Sequence, residues 1–436
     1  MNILLVGSGA REHAIAKAIK RSKKPTNIFC FASNNNPGIK ELSSNYKIGK
    51  ITDTKTIADF AKDNNIDFAI IGPEAPLEAG VVDKLKEQNI PSIGPTKKLA
   101  QLETSKSFTR NLLRKYNIPG GPKYKYFSDI NGVKEFIDSL GGNYVVKADG
   151  LMGGKGVKVS GDHLQSIADG IAFCEELIAQ DGTFLIEEKL IGQEFSLLSF
   201  SDGNNLAHMI AIQDHKRAFV NDTGPNTGGM GSYSDSDHKL PFLTNTDIEQ
   251  AHKINQATIK AIKDEFNEEY KGIIYGGFMA TKNGVNLIEY NARFGDPECM
   301  NILSLLESDF VELCLAIIKG NLTQDHARFA KKASVCKYAV PIGYPDNPIK
   351  NKIIDVSAVE NKELIHYASV DMKENELYET GSRTIAIVSV SDSISDAELI
   401  AESEIKKIKG PLFHREDIGT EELIEKRIKM MADLRK

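Results

Sequence analysis

Strand and helix patterns alternate through the N-terminal part of the chain, and this alternation restricts the fold more than any other feature. Apolar runs at 3–6, 28–32 and 68–71 are separated by helical patterns at 11–20 and 54–63. Uninterrupted apolar strands joined by helices are typical of a parallel sheet that helices cover on both faces. We therefore predict an N-terminal parallel α/β region, whose ligand site lies at the carboxyl ends of the strands.

The composition excludes several classes of partner. With a formal net charge of -6 and a pI near 5.9, the chain lacks the clustered positive charge that nucleic-acid binding requires. Its five cysteines are scattered and form no Cys-x-x-Cys pair, which is typical of the reducing cytoplasm. No apolar run is long enough to form a signal peptide or to span a bilayer. We expect a cytoplasmic protein without nucleic-acid or membrane partners.

The chain is long enough for several domains, because 436 residues can bury more than one core. A proline and glycine cluster at 119–122 precedes a second unit, which has strands and a helix at 164–179. Long strands and a helix at 247–266 follow, and the last region contains helices at 393–408 and 421–434. We predict an α/β and α+β multidomain fold with four regions, 1–122, 123–194, 195–329 and 330–436.

Two loops are predicted at the ligand edge of the N-terminal sheet, at 7–12 and 72–76. The first begins like a dinucleotide-binding fingerprint, but Glu12 stands where a third glycine is required and no acid follows the second strand to bind a ribose. We interpret it as a backbone-amide cradle for a phosphate at a helix N-terminus, with Arg11 adding charge. A glycine turn that only permits close helix packing is the alternative. In the second loop, two prolines fix Glu74 at the same edge.

An acid, an amide and a guanidinium alternate where a later apolar strand ends. Successive side chains of a strand point to opposite sides, so Glu289, Asn291 and Arg293 should share one face. Carboxylate and amide oxygens are ligands of Mg²⁺, and an arginine can hold a phosphate with two hydrogen bonds. The residues therefore predict a metal and phosphate site. A solvated surface strand is the alternative, but the sharp turn expected at 295–297 argues against it.

The glycine-rich segment 150–157 lies between two predicted strands. Its backbone amides can close over a triphosphate as a lid, and Lys155 adds positive charge. Lys147 ends the preceding apolar strand, where an ammonium group requires an anion unless it reaches solvent. Farther along, Glu187 and Glu194 follow another strand and could contact an adenine edge and a ribose.

These separate signals together resemble the ATP-grasp family. Within that family, the chain is similar to the glycinamide ribonucleotide synthetases from residue 1 to about residue 420. The ten residues at 222–231 are the most specific part. The similar segments are Gly-Ser-Gly-Ala-Arg-Glu-His at 7–13, Gly-Pro-Glu-Ala-Pro at 72–76, Gln-Asp-His-Lys-Arg at 213–217, Asp-Thr-Gly-Pro-Asn-Thr-Gly-Gly-Met-Gly at 222–231 and Arg-Phe-Gly-Asp-Pro-Glu at 293–298.

The resemblance implies an N-terminal parallel α/β domain, a two-lobed ATP-grasp unit and a small C-terminal α+β domain. It also implies an enzyme of de novo purine biosynthesis that joins 5-phosphoribosylamine to glycine through glycyl phosphate. The products are N1-(5-phosphoribosyl)glycinamide, ADP and phosphate. ATP and either Mg²⁺ or Mn²⁺ are the implied cofactors, the two small molecules are the implied partners, and we expect a monomer.

The same resemblance implies roles for individual residues. The implied metal ligands are Glu289 and Asn291. The implied ATP-binding residues are Lys106, Lys147, Gly154, Lys155, Gly156, Glu187, Lys189, Leu190 and Glu194. The implied substrate-binding residues are Gly9, Arg11, Glu12, Pro73, Glu74, Asp214, Lys216, Arg293, Gly295 and Asp296. The implied catalytic residues are Arg293, Lys147, Asp214 and Lys216.

Three other functions are alternatives. Another ATP-grasp carboxylate-amine ligase is disfavoured by the segment 222–231. An inactive nucleotide-binding regulatory homologue is disfavoured by the intact Lys147, Glu289, Asn291 and Arg293. A nicotinamide oxidoreductase lacks the ribose-binding acid and does not explain the second half of the chain.

Overall fold

The computed structural model describes residues 1–151 and 156–436. Its N-terminal strands form the parallel sheet that the sequence predicts. Ile3 and Leu5 belong to one buried cluster, whereas Leu4 and Val6 belong to another, so both faces of the sheet are covered. In order across the sheet, the strands are Asn45–Ile48, Asn27–Ala32, Asn2–Val6, Phe68–Ile71 and Ser92–Ile93. The helices of this region are Ala10–Lys20, Pro37–Leu42, Thr54–Asp63, Glu74–Ala79 and Val81–Glu87.

Both predicted loops at the edge of this sheet are shorter than expected. The first ends at Gly9, because the following helix begins at Ala10. The loop prediction for 74–76 is wrong, because these residues form the first turn of the helix Glu74–Ala79. A proline is tolerated in a first turn, and an acid there is stabilised by the helix dipole. Glu74 therefore projects from a helix N-terminus at the edge of the sheet.

A small antiparallel sheet forms the second unit, which we call the small lobe. Its strands, in order across the sheet, are Tyr124–Phe127, Phe184–Glu188, Tyr144–Ala148 and Val157–Val159. Two helices share a buried core with this sheet, Val133–Ser139 and Ile167–Ala179. Two others connect the small lobe to the N-terminal region, Gln101–Thr104 and Lys106–Lys115. The predicted helix at 164–179 begins only at Ile167, because Ser166 caps it and Asp169 completes the capping box.

One large antiparallel sheet runs through the remaining chain. It continues from the region predicted at 195–329 into the region predicted at 330–436. In order, its strands are Gly284–Asn291, Lys271–Thr281, Gly192–Asp202, Leu206–Asp214, Gly231–Ser234, Ala333–Pro341, Ile385–Ser391 and Ile365–Tyr367, with Leu412–Phe413 paired to Ala333–Pro341. Separate small sheets comprise Arg217–Phe219 with Thr223–Asn226, and Ile353–Ile354, Glu376–Glu379 and Val370–Lys373.

The helices around the large sheet agree with most of the predicted ranges. The long helix Asn245–Phe266 begins at a Thr244 capping box. The helix predicted at 393–408 ends at Ile405, and the terminal helix occupies Glu421–Leu434. The other helices here are Glu298–Leu305 and Phe310–Lys319. Within residues 1–151 and 156–436, no helix is both long enough and apolar enough to cross a membrane.

Candidate active site

One cavity is lined by residues from the N-terminal region, the connecting helix, the small lobe and the end of the strand Gly284–Asn291. Glu289, Asn291 and Arg293 all line this cavity, so the alternation along the strand brings their side chains together. Lys106 and Lys147 line the same cavity, close to Glu289. We call the part of the site around Lys106, Arg110, Lys147 and Glu187 the nucleotide side. The part around Arg11, Glu12, Glu74, Glu103 and Arg293 is the substrate side.

Glu187 is the centre of a buried ion-pair network on the nucleotide side. Its two carboxylate oxygens lie 2.6 and 3.0 Å from Arg110 nitrogens, and Lys147 Nζ lies 2.8 Å from Oε2. Burial would raise the pKa of Glu187, but Arg110 and Lys147 lower it to about 2. Both cations also donate to the main-chain carbonyl of Ile288, at 2.7 and 3.0 Å. The network therefore joins the small lobe to the strand that carries Glu289.

Lys106 is held at the start of the connecting helix. Asp149 accepts a hydrogen bond from the Lys106 backbone N–H at 2.6 Å, and Lys106 Nζ donates to the Gly150 carbonyl at 2.9 Å. Burial lowers the pKa of Lys106, Glu289 opposes this shift, and Lys147 adds to it. The ammonium groups of Lys106 and Lys147 thus line one cavity, which suits an anionic ligand between them.

Glu289 and Asn291 present oxygen atoms to the same cavity. Glu289 pairs in the sheet with Gly277 and Asn291 pairs with Tyr275, and the register irregularity of this strand pair lies before both, between Leu287 and Glu289. Burial would raise the pKa of Glu289, but Lys216 and Lys147 hold it below its usual value, so the group is ionised. Among the residues that the structure describes, neither side chain takes part in a protein hydrogen bond. A carboxylate and an amide oxygen that face a cavity in this way fit a hard divalent cation.

Arg293 lies between two acids on the substrate side. Its Nη2 is 3.0 Å from Glu103 Oε1, and its Nε is 3.3 Å from Glu74 Oε2. Burial would raise the pKa of Glu74, but Arg293 and Arg11 lower it to about 2. Burial instead raises the pKa of Glu103, in spite of the nearby Arg293. Arg293 Nη1 also donates to the Phe294 carbonyl at 3.2 Å, and the guanidinium lines the cavity beside Glu289 and Asn291.

The N-terminal glycine loop is braced by its own acid. Glu12 accepts from the Gly9 backbone N–H at 2.6 Å and from Arg11 Nε at 2.6 Å. Arg11 Nη1 also donates to the Phe294 carbonyl at 3.1 Å, which ties this loop to the segment that follows Arg293. Pro73 caps the neighbouring helix at the same edge. These predicted substrate residues therefore share one corner of the site.

Asp214 and Lys216 lie at the end of another strand of the large sheet. Lys216 forms an ion pair with Glu194, which the sequence analysis assigned to a ribose. Burial would lower the pKa of Lys216, but Glu194 raises it well above its usual value. Burial and the nearby Glu298 raise the pKa of Asp214 well above its usual range. Asp214 Oδ1 accepts from the His215 backbone N–H at 2.7 Å.

The turn that follows Arg293 has the sharp geometry that the sequence predicts. A Cβ on Gly295 would collide with the carboxylate of Glu298, so any larger residue there would have to displace that side chain. Asp296 Oδ1 accepts from the Tyr338 hydroxyl at 2.6 Å and lies 3.3 Å from an Arg383 nitrogen. The turn is therefore fixed by residues of the C-terminal region.

The remaining predicted ATP residues lie around the small lobe. Gly156 lines the cavity, and its carbonyl accepts from the Ala148 backbone N–H at 2.8 Å. Lys189 Nζ donates to the Ser160 carbonyl at 2.7 Å, and Leu190 is half-buried beside it. Gly154 and Lys155 lie outside the described residues.

The sequence analysis missed Glu103, Arg110 and Arg383. Arg110 is four residues after Lys106 in one helix, and this spacing places both on the same helical face, which is a usable signal. Glu103 precedes the same helix but has no distinguishing pattern. Arg383 is far from the other site residues in sequence, and no local motif indicates that it reaches them.

A small antiparallel lobe and a large antiparallel sheet both contribute to one cavity, which is lined by lysines and by a carboxylate and an amide that can act as oxygen ligands. This arrangement defines an ATP-grasp protein. The sequence matches the families described as phosphoribosylglycinamide synthetase, N domain at residues 1–103, ATP-grasp (A) domain at 104–299 and C domain at 334–421. The chain therefore belongs to the phosphoribosylglycinamide synthetase family.

Individual relatives agree with this assignment over the whole length. The phosphoribosylamine–glycine ligase of Methanosarcina barkeri is 47% identical over 435 residues and covers 100% of both chains. That of Methanocaldococcus jannaschii is 48% identical over 446 residues, again with 100% of both chains covered. The crystal structure of phosphoribosylamine–glycine ligase from Thermotoga maritima has a TM-score of 0.81 and 27% identity, covering 96% of this chain and 100% of that chain.

Proposed function

We propose that this protein joins 5-phosphoribosylamine to glycine in de novo purine biosynthesis and converts ATP to ADP and phosphate. The observation that carries the proposal is the convergence of Glu289, Asn291 and Arg293 with Lys106 and Lys147 on one cavity. Full-length similarity to relatives that bear the name phosphoribosylamine–glycine ligase supports the choice of substrates.

The first step transfers the γ-phosphoryl group of ATP to a carboxylate oxygen of glycine and releases ADP. Both reactants are anionic, so positive charge must reduce their repulsion. Lys106 and Lys147 bind the phosphates, and Arg293, which lines the same cavity, binds the transferred group. The side chain of Glu187 positions Lys147. The main chain of Glu187 frames the adenine together with Lys189 and Leu190. Glu194 binds the ribose, and Gly154, Lys155 and Gly156 cover the phosphates.

Glu289 and Asn291 are the residues that would hold Mg²⁺ or Mn²⁺. Their oxygens face the cavity beside Lys106 and Lys147, and the carboxylate of Glu289 is kept ionised. When bound, such an ion neutralises charge on the phosphate oxygens. The amide of Asn291 adds an oxygen ligand without a second negative charge, which suits a site that must also admit a triphosphate.

The second step forms the amide bond. The amine nitrogen of phosphoribosylamine attacks the carbonyl carbon of glycyl phosphate, the bond from that carbon to the phosphate oxygen breaks, and phosphate leaves with the electron pair. The nitrogen loses its proton to solvent. Gly9, Arg11, Glu12, Pro73 and Glu74 bind the phosphoribosyl group, while Asp214, Lys216, Gly295 and Asp296 orient glycine and the amine.

Several finer assignments belong to the same proposal. Residues 1–122 act as the substrate domain with its linker, and residues 123–194 act as the lid. Residues 195–329 act as the metal-bearing lobe, and residues 330–436 form the C-terminal domain. A monomeric state and a cytoplasmic location stay predictions from the sequence.

Omission of single substrates tests the function. ADP release is measured with ATP, Mg²⁺, glycine and freshly prepared phosphoribosylamine, and then with each component left out. The proposal requires ADP release that depends on both glycine and the amine, together with formation of the ligated product. ADP release that is unaffected by omission of the amine, with no product detected, would point to a different acceptor.

A further inference from the structure

Arg383 connects three separate segments at the substrate side of the site. Its Nη1 donates to the carbonyls of Gly228, Gly229 and Asp296, at 2.6, 3.2 and 2.7 Å. Its Nη2 lies 3.3 Å from Asp296 Oδ1, and its guanidinium stacks 4.7 Å from the centre of the Tyr338 ring. One side chain of the C-terminal region thus fixes the glycine segment 222–231 and the turn after Arg293.

The two oxygens of Asp296 have different surroundings. Oδ1 accepts from the Tyr338 hydroxyl at 2.6 Å and faces Arg383, whereas Oδ2 points toward Gly9, where an added Cβ would lie 3.9 Å away. Oδ2 accepts no hydrogen bond from any residue in 1–151 or 156–436. The carboxylate is therefore prevented from rotating, while one acceptor remains directed into the corner that the N-terminal loop forms.

We propose that Arg383 is a positioning residue which, with Tyr338, directs the free oxygen of Asp296 at an amino group of the substrate. The inference rests on the proposed function, because both glycine and phosphoribosylamine carry such a group. A carboxylate oxygen held in a fixed direction accepts a hydrogen bond from nitrogen without a further loss of side-chain entropy. The C-terminal region thereby acts on the chemistry through Asp296 and not by touching the reacting atoms.

A lysine cannot replace Arg383 in this arrangement. The planar guanidinium reaches two glycine carbonyls and the Asp296 carboxylate at once, whereas an ammonium group is a single point of charge. We therefore expect Arg383→Lys to retain the fold but to release Asp296. Tyr338→Phe keeps the aromatic face under the guanidinium and removes only the hydroxyl that holds Oδ1, so it is the milder second variant.

The test compares Arg383→Lys and Tyr338→Phe with Arg328→Lys, a matched change at an exposed arginine whose guanidinium, among the described residues, donates only to the Asp325 carbonyl. KM is measured separately for glycine, phosphoribosylamine and ATP. We expect Arg383→Lys to raise KM for glycine or for the amine by about tenfold, and to leave KM for ATP within about twofold of the control. Tyr338→Phe should raise the same KM by a smaller factor. Whichever KM rises identifies the amino group that Asp296 binds.

A double-mutant cycle separates positioning from general structural support. If Arg383 acts through Asp296, Asp296→Asn raises the same KM, and adding Arg383→Lys to it has little further effect. Equal increases in all three KM values, fully additive effects, or KM values equal to those of Arg328→Lys would overturn the inference. If the unmodified enzyme shows no response to glycine and the amine, the proposed function fails instead, so the two failures are distinguishable.

Discussion

The nucleotide side and the substrate side of the cavity are both buried and charged, but their ion-pair networks are built in opposite ways. On the nucleotide side, one acid, Glu187, contacts two cations, Arg110 and Lys147. On the substrate side, one cation, Arg293, lies between two acids, Glu74 and Glu103. Two cations around one acid suit a triphosphate nearby, whereas two acids around one cation suit substrates that carry amino groups. The two sides thus differ in the charged groups that they offer to a ligand.

The largest effect is expected at Arg293, which stands where the two sides meet. Arg293→Ala should lower kcat by a factor on the order of 10³, because it removes a donor from the transferred phosphoryl group and leaves two acids unpaired. Arg293→Lys should retain part of the activity, because it keeps the charge but loses the fixed geometry. Steady-state rates with Arg328→Ala as the control check this. A variant with normal kcat would remove Arg293 from the chemistry.

The next effect concerns stability on the nucleotide side. Arg110→Met breaks a pair whose side chains are each 3% exposed, so it should cost about 3–5 kcal/mol of unfolding free energy. The comparison variant is Lys115→Met in the same helix, which breaks the more exposed pair with Glu265 and should cause no measurable change. Urea denaturation of both variants measures the difference. Equal stability of the two variants would show that the buried network does not hold the small lobe to the large sheet.

The pH dependence of stability should have opposite signs at two buried acids. The pKa of Glu187 is lowered from 4.5 to about 2, so its stabilisation is present above pH 4.5 and is lost as the pH falls toward 2, on the order of 3 kcal/mol. The pKa of Glu103 is raised above 4.5, so its ionisation reduces stability as the pH rises through that higher value. The two windows therefore lie on different sides of pH 4.5.

Glutamine variants separate these two windows. Glu187→Gln should flatten the acid limb of the plot of unfolding free energy against pH, and Glu103→Gln should flatten the plot above pH 4.5. Denaturant titrations at a series of pH values provide both slopes. If both variants flatten the same limb of the stability plot, the pKa values of Glu187 and Glu103 are not shifted in opposite directions.

The smallest effect is expected at Lys106. Lys106→Gln removes one of the cations that face the phosphates, and we expect KM for ATP to rise by about tenfold with little change in KM for glycine. Initial rates with each substrate varied in turn provide the measurement. A larger change for glycine than for ATP would place Lys106 on the substrate side.

The sequence predicts local features of this molecule well. Uninterrupted apolar runs identify the parallel sheet, and the alternation from Glu289 to Arg293 brings three side chains to one cavity because a strand has a period of two. The apolar pattern predicts a helix from 164, but the Ser166 capping box delays its start to Ile167. The prolines around Glu74 predict a loop, but proline is also tolerated in the first turn of a helix, where Pro76 lies.

Long-range features could not be predicted in the same way. Gly231–Ser234 pairs with Ala333–Pro341 about a hundred residues later, and no local pattern specifies that partner or its register. The position of Arg383 depends on the same sheet, because Arg383 precedes the strand Ile385–Ser391, which pairs with Ala333–Pro341, and there it reaches Asp296. Burial of Glu103 beside Arg293 likewise arises only from tertiary packing, although Arg110 could have been found from its spacing to Lys106.

If a divalent cation and the surrounding basic groups allow two anionic reactants to meet, Glu289 is the residue whose loss should matter most for the cation. Turnover and Mn²⁺ binding by electron paramagnetic resonance are measured for Glu289→Gln and for Glu307→Gln, a change at an exposed acid. We expect Glu289→Gln to lower kcat by a factor on the order of 10³ and to weaken Mn²⁺ binding, while the control does neither. Normal turnover and normal Mn²⁺ binding in Glu289→Gln would show that Glu289 does not hold the cation.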